Sequence, residues 1–337
     1  MVSMDRIARI VERLIESVGS EVFKYQVWAM LSKETIEGQE IFNWKLGVSR
    51  FSMLPERGAR LMKWDLSLSG NQTRSVIRWP EGADLPNPAF VRGGNPILFP
   101  FSARTFNKSK IHTWKSPGGA VLPMPMHGFA RQGRFEVVAQ DDNSIAMKLI
   151  PTEEDAHAYP FDYEFLVIYR FEMLAVEVEL VLSNLGNEKI PWSAGHHFYF
   201  TLPWRDGFKR EHYRIVLPGT KAVYQAADGS LVPSDFKGGE VSMDDPTLVD
   251  RIHFRLKENR VKFGLKNGEE DVTILVSDAA RPLPGATVVT WTKSAESPFY
   301  CVEPWMGPPN SPEHKKGLHW VEPGETDRFL VKVTLEE

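Results

Sequence analysis

Apolar residues in this chain recur mostly at every second position. Between Met173 and Leu182, Val176, Val178, Leu180 and Leu182 alternate with Glu177, Glu179 and Val181, the two-residue rhythm of a half-buried strand. Shorter runs of the same kind fall at Phe135–Ala139, Ile145–Ile150, Phe165–Arg170, Tyr213–Leu217, Val272–Val276, Thr287–Trp291 and Phe329–Leu335. Turn formers separate several of them: Asp141-Asp142-Asn143-Ser144, Asn184-Leu185-Gly186-Asn187 and Asn267-Gly268. The first twenty residues differ. Ile7, Ile10, Val11, Leu14, Ile15 and Val18 keep helical spacing and Gly19 supplies a stop, which predicts a helix over 1–20. Its charges are mixed rather than basic, so it is expected to pack on the body or on another subunit rather than on a membrane. From about residue 40 the period is that of strands, and the Pro/Gly-rich stretch Ser116–Pro125 reads as a surface loop. The fold class predicted is all-β: a large antiparallel β-sandwich over 21–337, one domain, preceded by a short helix.

Composition narrows the function classes. At 337 residues with 42% hydrophobic and 25% charged positions, the chain has enough apolar surface for a core and does not read as disordered. A net charge of −4 gives no support for a nucleic-acid partner. The single cysteine, Cys301, excludes an intramolecular disulfide and a Cys-rich zinc site. No apolar run approaches the length of a membrane span. Asp5, Arg6, Arg9, Glu12, Arg13 and Glu16 interrupt the stretch where a signal peptide needs its apolar core. A cytoplasmic location is the expectation.

Candidate chemistry gathers in four places. They are Arg92-Gly93-Gly94-Asn95-Pro96-Ile97-Leu98-Phe99-Pro100-Phe101 with Arg104 downstream, His127-Gly128-Phe129-Ala130-Arg131, Pro191-Trp192-Ser193-Ala194-Gly195-His196-His197-Phe198-Tyr199-Phe200, and Cys301-Val302-Glu303-Pro304-Trp305-Met306-Gly307. Each sets an ionisable side chain among glycines, prolines and aromatics at a strand–loop junction, where pockets commonly form. Each also has a plain structural reading: a hydrogen-bonded core histidine, a surface carboxylate, a packed aromatic. P-loop, dinucleotide-binding and Gly-x-Ser-x-Gly signatures are missing from the sequence.

Taken together and in this order, the four segments resemble the aldose 1-epimerase (galactose mutarotase) family, in particular its bacterial branch. Tyr159-Pro160-Phe161, Asn184 and Pro323-Gly324-Glu325 extend the likeness, which covers roughly residues 45 to 335. The resemblance implies a β-sandwich with a sugar-binding face and an activity that interconverts α and β anomers of a hexose. It implies Glu303 as catalytic base and His197, rather than His196, as general acid. His127, Arg104 and Trp305 would then face the sugar. The family's acidic sugar ligand has no clear counterpart; Asp244, Asp245 and Asp250 are all candidates.

The chemistry fits without a cofactor. Opening a hemiacetal requires a base at the O1 proton and an acid at the ring oxygen, and one carboxylate with one imidazole serves both directions. Burial under a sugar strengthens the base, and an imidazolium is expected near neutrality. Neighbouring His196 and His197 point to opposite faces of a strand and cannot share an ion, although His127, His197 and Glu303 leave a metal site open. A second reading is a hexose-6-phosphate mutarotase, with Arg92 and Arg131 clamping the phosphate. If the sugar is free, at least one of these arginines should be tied to a protein carboxylate. The free sugar is the reading preferred here. A third reading, from another class, is a carbohydrate-binding module without catalysis. The partner expected is a small-molecule sugar, with no nucleic acid and no membrane; the oligomeric state stays open.

Overall fold

The alternating runs become strands because each presents one face to a shared apolar layer. The computed structural model describes residues 29–68, 72–236 and 238–336, so the helix expected over 1–20 lies outside the described residues. The structure is mostly β, built of antiparallel sheets. The larger sheet has thirteen strands. It begins with the meander Ala29–Ile36, Gln39–Leu46, Ser49–Leu54, Arg60–Ser67 and Thr73–Ile77, and continues through Tyr199–Thr201, Phe299–Trp305, Thr287–Trp291, Arg251–Leu256, Gly219–Gln225 and Leu231–Ser234. Gly195–His196 and Ile97–Leu98 attach beside Phe299–Trp305. The second sheet has nine strands in the order Arg134–Gln140, Ser144–Ile150, Tyr163–Glu172, Ala175–Asn184, Thr326–Glu336, Asp271–Leu275, Arg260–Leu265, Tyr213–Leu217 and Gly239–Ser242. Every run predicted from alternation overlaps one of these strands, with Met173, Leu174 and Val276 falling just outside them.

The two sheets meet through aromatic side chains. Phe171 of the second sheet packs 4.7 Å, centroid to centroid, from both Trp44 and Phe51 of the first. Phe200 meets Phe263 at 4.9 Å, and Phe99 stacks on Phe165 at 3.8 Å. Such interdigitation fills the space between packed sheets.

Two expectations are corrected locally. Strand structure is already present at Ala29–Ile36, ahead of residue 40. The Ser116–Pro125 stretch is not wholly loop: Val121–Pro123 pairs with Thr113–Lys115 in a small hairpin. A short helix, Glu153–Ala158, also appears, closed by a capping box in which Thr152 and Asp155 satisfy each other's backbone N–H.

The strand Phe299–Trp305 explains where the site falls. Tyr300 and Val302 point into the core between the sheets, while Cys301, Glu303 and Trp305 point to the opposite face. That opposite face is nonetheless buried, because loops from elsewhere in the chain cover it. Between those loops and the sheet lies a cleft.

Candidate active site

The cleft has a volume of about 390 Å³, and its lining includes Arg92, Arg104, His127, Arg131, His197, Glu303 and Trp305. All seven site residues expected from the sequence therefore meet in one place, drawn from segments more than two hundred residues apart. At the floor, His197 Nε2 lies 3.5 Å from Glu303 Oε1. Glu303 is almost wholly buried, with 2% of its side chain exposed, and His197 retains 12%. The second carboxylate oxygen, Oε2, and His197 Nδ1 are buried without a hydrogen-bond partner among the described residues. Unmet polar atoms on a cleft floor are ready to receive a polar ligand.

Neighbouring side chains fix this pair. The His197 ring stacks on Tyr199 at 4.7 Å and nearly parallel, and meets the edges of His127 at 5.5 Å and Trp291 at 5.9 Å. Its backbone N–H donates to Asn95 Oδ1 at 3.2 Å. His196 turns the other way, as strand alternation requires. Its Nδ1 lies 3.1 Å from Asn95 Nδ2, and its ring stacks between Phe198 and Phe329 in the core.

Two glycines make the geometry possible. A Cβ on Gly195 would collide with the Trp305 indole, and it would lie 2.8 Å from Ser102 Oγ. Gly94 adopts φ +70°, and a Cβ there would run into the Leu61 carbonyl. Gly94 thus lets the chain pass close beneath Leu61 just ahead of the strand Ile97–Leu98.

His127 is held in a left-handed backbone conformation, φ +67°, uncommon for a residue with a side chain. Its Nδ1 accepts the Ala103 backbone N–H at 3.1 Å, so its proton sits on Nε2. Burial, with Arg131 and Arg104 nearby, pushes its pKa down to about 3. His127 is a neutral donor at any physiological pH. Arg104 donates from Nε to Gln225 Oε1 at 3.3 Å and receives the Gln225 amide on its own carbonyl at 3.0 Å. Trp305 donates to the His196 carbonyl at 3.2 Å and packs its ring 6.0 Å from His127.

The electrostatics of the pair differ from the expectation of a ready imidazolium. Burial holds His197 well below the ordinary histidine range, helped by His127 and the buried Arg60 guanidinium. Burial also raises Glu303 well above the carboxylate range, with Asp250 adding to the effect. Both shifts favour the neutral forms, imidazole and carboxylic acid, over the ion pair.

Among the three aspartates left open, only Asp250 lines the cleft. It stands at φ +56° at the head of the strand Arg251–Leu256. Asp245 instead caps the turn Pro246–Leu248 by accepting the Thr247 N–H at 2.8 Å, and Asp244 is exposed away from the cleft. Tyr199, from the segment that carries His197, also lines the site, as do Gln225, Trp291 and Phe90, which no local motif marks. The metal triad left open, His127 with His197 and Glu303, is not the grouping that forms. Instead, ligand-type atoms of His197, Cys301 and Glu303 lie within 4.8 Å of one another, and burial pushes the Cys301 thiol well up.

Neither Arg92 nor Arg131 forms an ion pair among the described residues. Arg92 lies 5.9 Å over Trp291 and Arg131 6.0 Å over Phe90. The carboxylate partner expected for a free-sugar site is absent from both.

Fold and cleft together define a mutarotase-like β-sandwich protein. Solved structures agree on the fold. Slr1438 from Synechocystis sp. PCC 6803 superposes with TM-score 0.71 at 23% identity, covering 94% of this chain and 99% of that one. A galactose mutarotase related enzyme from Lactobacillus acidophilus gives TM-score 0.67 at 22% identity, covering 91% and 98%. In sequence, the chromosomal protein LacX of Lactococcus lactis subsp. lactis is 24% identical over 240 residues, which is 66% of this chain and 76% of LacX. The sequence model of the aldose 1-epimerase family matches residues 53–325. The chain belongs to the aldose 1-epimerase family. Among the described residues no helix is long and apolar enough to cross a membrane.

Proposed function

We propose that the protein interconverts the α and β anomers of an aldohexose, with Glu303 as base and His197 as acid. The observation that carries this reading is the buried 3.5 Å contact between Glu303 Oε1 and His197 Nε2 at the floor of the cleft. O1 and the ring oxygen sit on the same carbon of the sugar, so two groups this close can address both. Moving the shared proton from Glu303 to His197 gives carboxylate and imidazolium. The carboxylate then takes the O1 proton, the imidazolium protonates the ring oxygen, and the C1–O5 bond breaks. This leaves an aldehyde, a C5 hydroxyl and the neutral pair. Rotation about C1–C2 and the reverse transfers close the ring on the other face, and no proton is gained or lost. His127 donates from Nε2 to a sugar oxygen, Arg104 and Asp250 hold hydroxyl groups, and Trp305 walls the ring. Each proton transfer supplies about 10²–10⁴-fold.

A second reading, that the hexose carries a 6-phosphate, is favoured by Arg92 and Arg131, which line the cleft without carboxylate partners. Two free guanidinium groups suit a dianion. Polarimetry of freshly dissolved α-D-glucose and α-D-galactose, with exchange NMR on glucose 6-phosphate, tests both readings. Protein-dependent acceleration supports the isomerase. Binding of sugar with no acceleration would instead leave a carbohydrate-binding module.

A further inference from the structure

Arg60 is the most unusual charge in the molecule. It opens the strand Arg60–Ser67, is fully buried, and has no carboxylate within ion-pair distance among the described residues. Burying an unpaired cation carries a large desolvation cost. Here the compensation comes from backbone carbonyls. Nη2 donates to Val91 at 2.6 Å and to Gly93 at 2.7 Å, Nη1 to Pro88 at 3.2 Å, and Nε to Gly93 at 3.2 Å. All three acceptors belong to one six-residue segment, Pro88–Gly93. Trp79 covers the guanidinium from the side, 5.5 Å away. A planar fork of donors gathers several carbonyls of one loop in a way that an ammonium cannot.

That segment forms one rim of the cleft. Ala89, Phe90, Val91 and Arg92 all line it. Phe90 is 87% exposed, an apolar ring held out in water at the mouth of a polar cleft. Its only aromatic or cationic neighbour among the described residues is Arg131, 6.0 Å from the ring. A ring so placed offers an apolar face to a bound sugar, and covering it releases water.

We propose that Arg60 is a positioning residue which pins the Pro88–Gly93 rim from beneath, and that Phe90, at the tip of this rim, contacts the substrate. The inference rests on the reading of the cleft as a sugar site. Arg60 touches no substrate; it acts through the loop it holds. Phe90 adds affinity and takes no part in proton transfer. Loss of either therefore changes KM more than kcat.

The test compares wild type with Arg60→Lys, which keeps the charge but cannot span three carbonyls, and with Phe90→Ala, which is too exposed to affect folding. Chymotrypsin cleavage after Phe90 under native conditions reads the loop directly. Anomer exchange of glucose and glucose 6-phosphate separates KM from kcat. We expect Arg60→Lys to be cut at Phe90 at least tenfold faster than wild type and to raise KM about tenfold, with kcat within about threefold. Phe90→Ala should raise KM by about fivefold with kcat unchanged. If Arg60→Lys does not fold, Phe90→Ala decides alone. Unchanged KM in Phe90→Ala, or unchanged cleavage and KM in Arg60→Lys, would overturn the proposal. So would an Arg60→Lys protein in which kcat falls and KM stays, the mark of a residue that only supports the fold. If wild type itself fails to accelerate exchange, the function reading fails. Sugar affinity from tryptophan fluorescence, compared across the three proteins, then still judges the rim.

Discussion

Replacing Arg131 or Arg92 by alanine separates the two substrate readings. Arg131 is the more informative because it is half-buried, its Nε has no hydrogen-bond partner, and burial lowers its pKa without removing its charge. A phosphate reaching it would meet a partly desolvated guanidinium with donors to spare. A hydrogen bond to a charged group contributes about 1.5–3 kcal/mol, so losing one such contact weakens binding roughly 10- to 150-fold. Arg92 is more exposed and more screened by solvent, which puts its loss toward the lower end of that range. Because neither side chain is committed to a carboxylate in the protein, no buried charge is left unpaired by removal, and the fold should keep its stability. The assay is kcat/KM for anomer exchange by NMR with glucose and glucose 6-phosphate as parallel substrates, at two salt concentrations. If the substrate is phosphorylated, Arg131→Ala loses tenfold or more on the 6-phosphate and less than about twofold on glucose, and the difference shrinks in high salt. Equal losses on both sugars, or a wild-type preference for glucose that survives both substitutions, would refute the reasoning.

Three further outcomes follow from the same geometry. The active form of the Glu303–His197 pair carries one proton, so kcat/KM should be bell-shaped. Its acid limb should lie below the ordinary histidine range and its alkaline limb above the ordinary carboxyl range, because burial lowers His197 and raises Glu303; a rate that climbs steadily into alkali would contradict this. His196 and His253 are buried neutral, each with its pKa pushed down to about 3. The unfolded chain binds their protons below about 6.5 and the folded chain does not, so stability should be intact above that value and fall as pH drops toward 3. The limiting slope is about 1.4 kcal/mol per pH unit for each histidine, and a melting temperature flat from pH 6.5 to 4 would count against it. Gly195→Ala should force Trp305 and Ser102 aside at a cost of about 1–3 kcal/mol, with activity falling further than stability; wild-type turnover in this variant would show that Trp305 is free to move.

Much of this architecture is legible in the chain. Alternation finds the long strands of the second sheet because they are half-buried and carry their polar residues outward. It marks the Phe299–Trp305 strand poorly, since that strand is buried on both faces and its alternation is between two apolar environments. The helix Glu153–Ala158 had a usable signal in the spacing of Thr152 and Asp155. Strand alternation shows that the two histidines face opposite ways, and the family resemblance is what picks His197 for the cleft. Asp250 and Gln225 could not be singled out, because each reaches the cleft from a distant strand and is framed by no motif. Protonation was the least legible property of all. The residue types suggest carboxylate and imidazolium, whereas burial shifts both groups toward their neutral forms.

The most direct test of the account is anomer exchange by Glu303→Gln. The amide keeps the size of the side chain and one acceptor but cannot carry the shared proton, so binding should survive while chemistry stops. The account predicts a kcat reduced by about 10²-fold or more, toward the uncatalysed rate, with sugar affinity within a few-fold of wild type. Retention of a tenth or more of wild-type kcat in a folded, sugar-binding Glu303→Gln protein would contradict it.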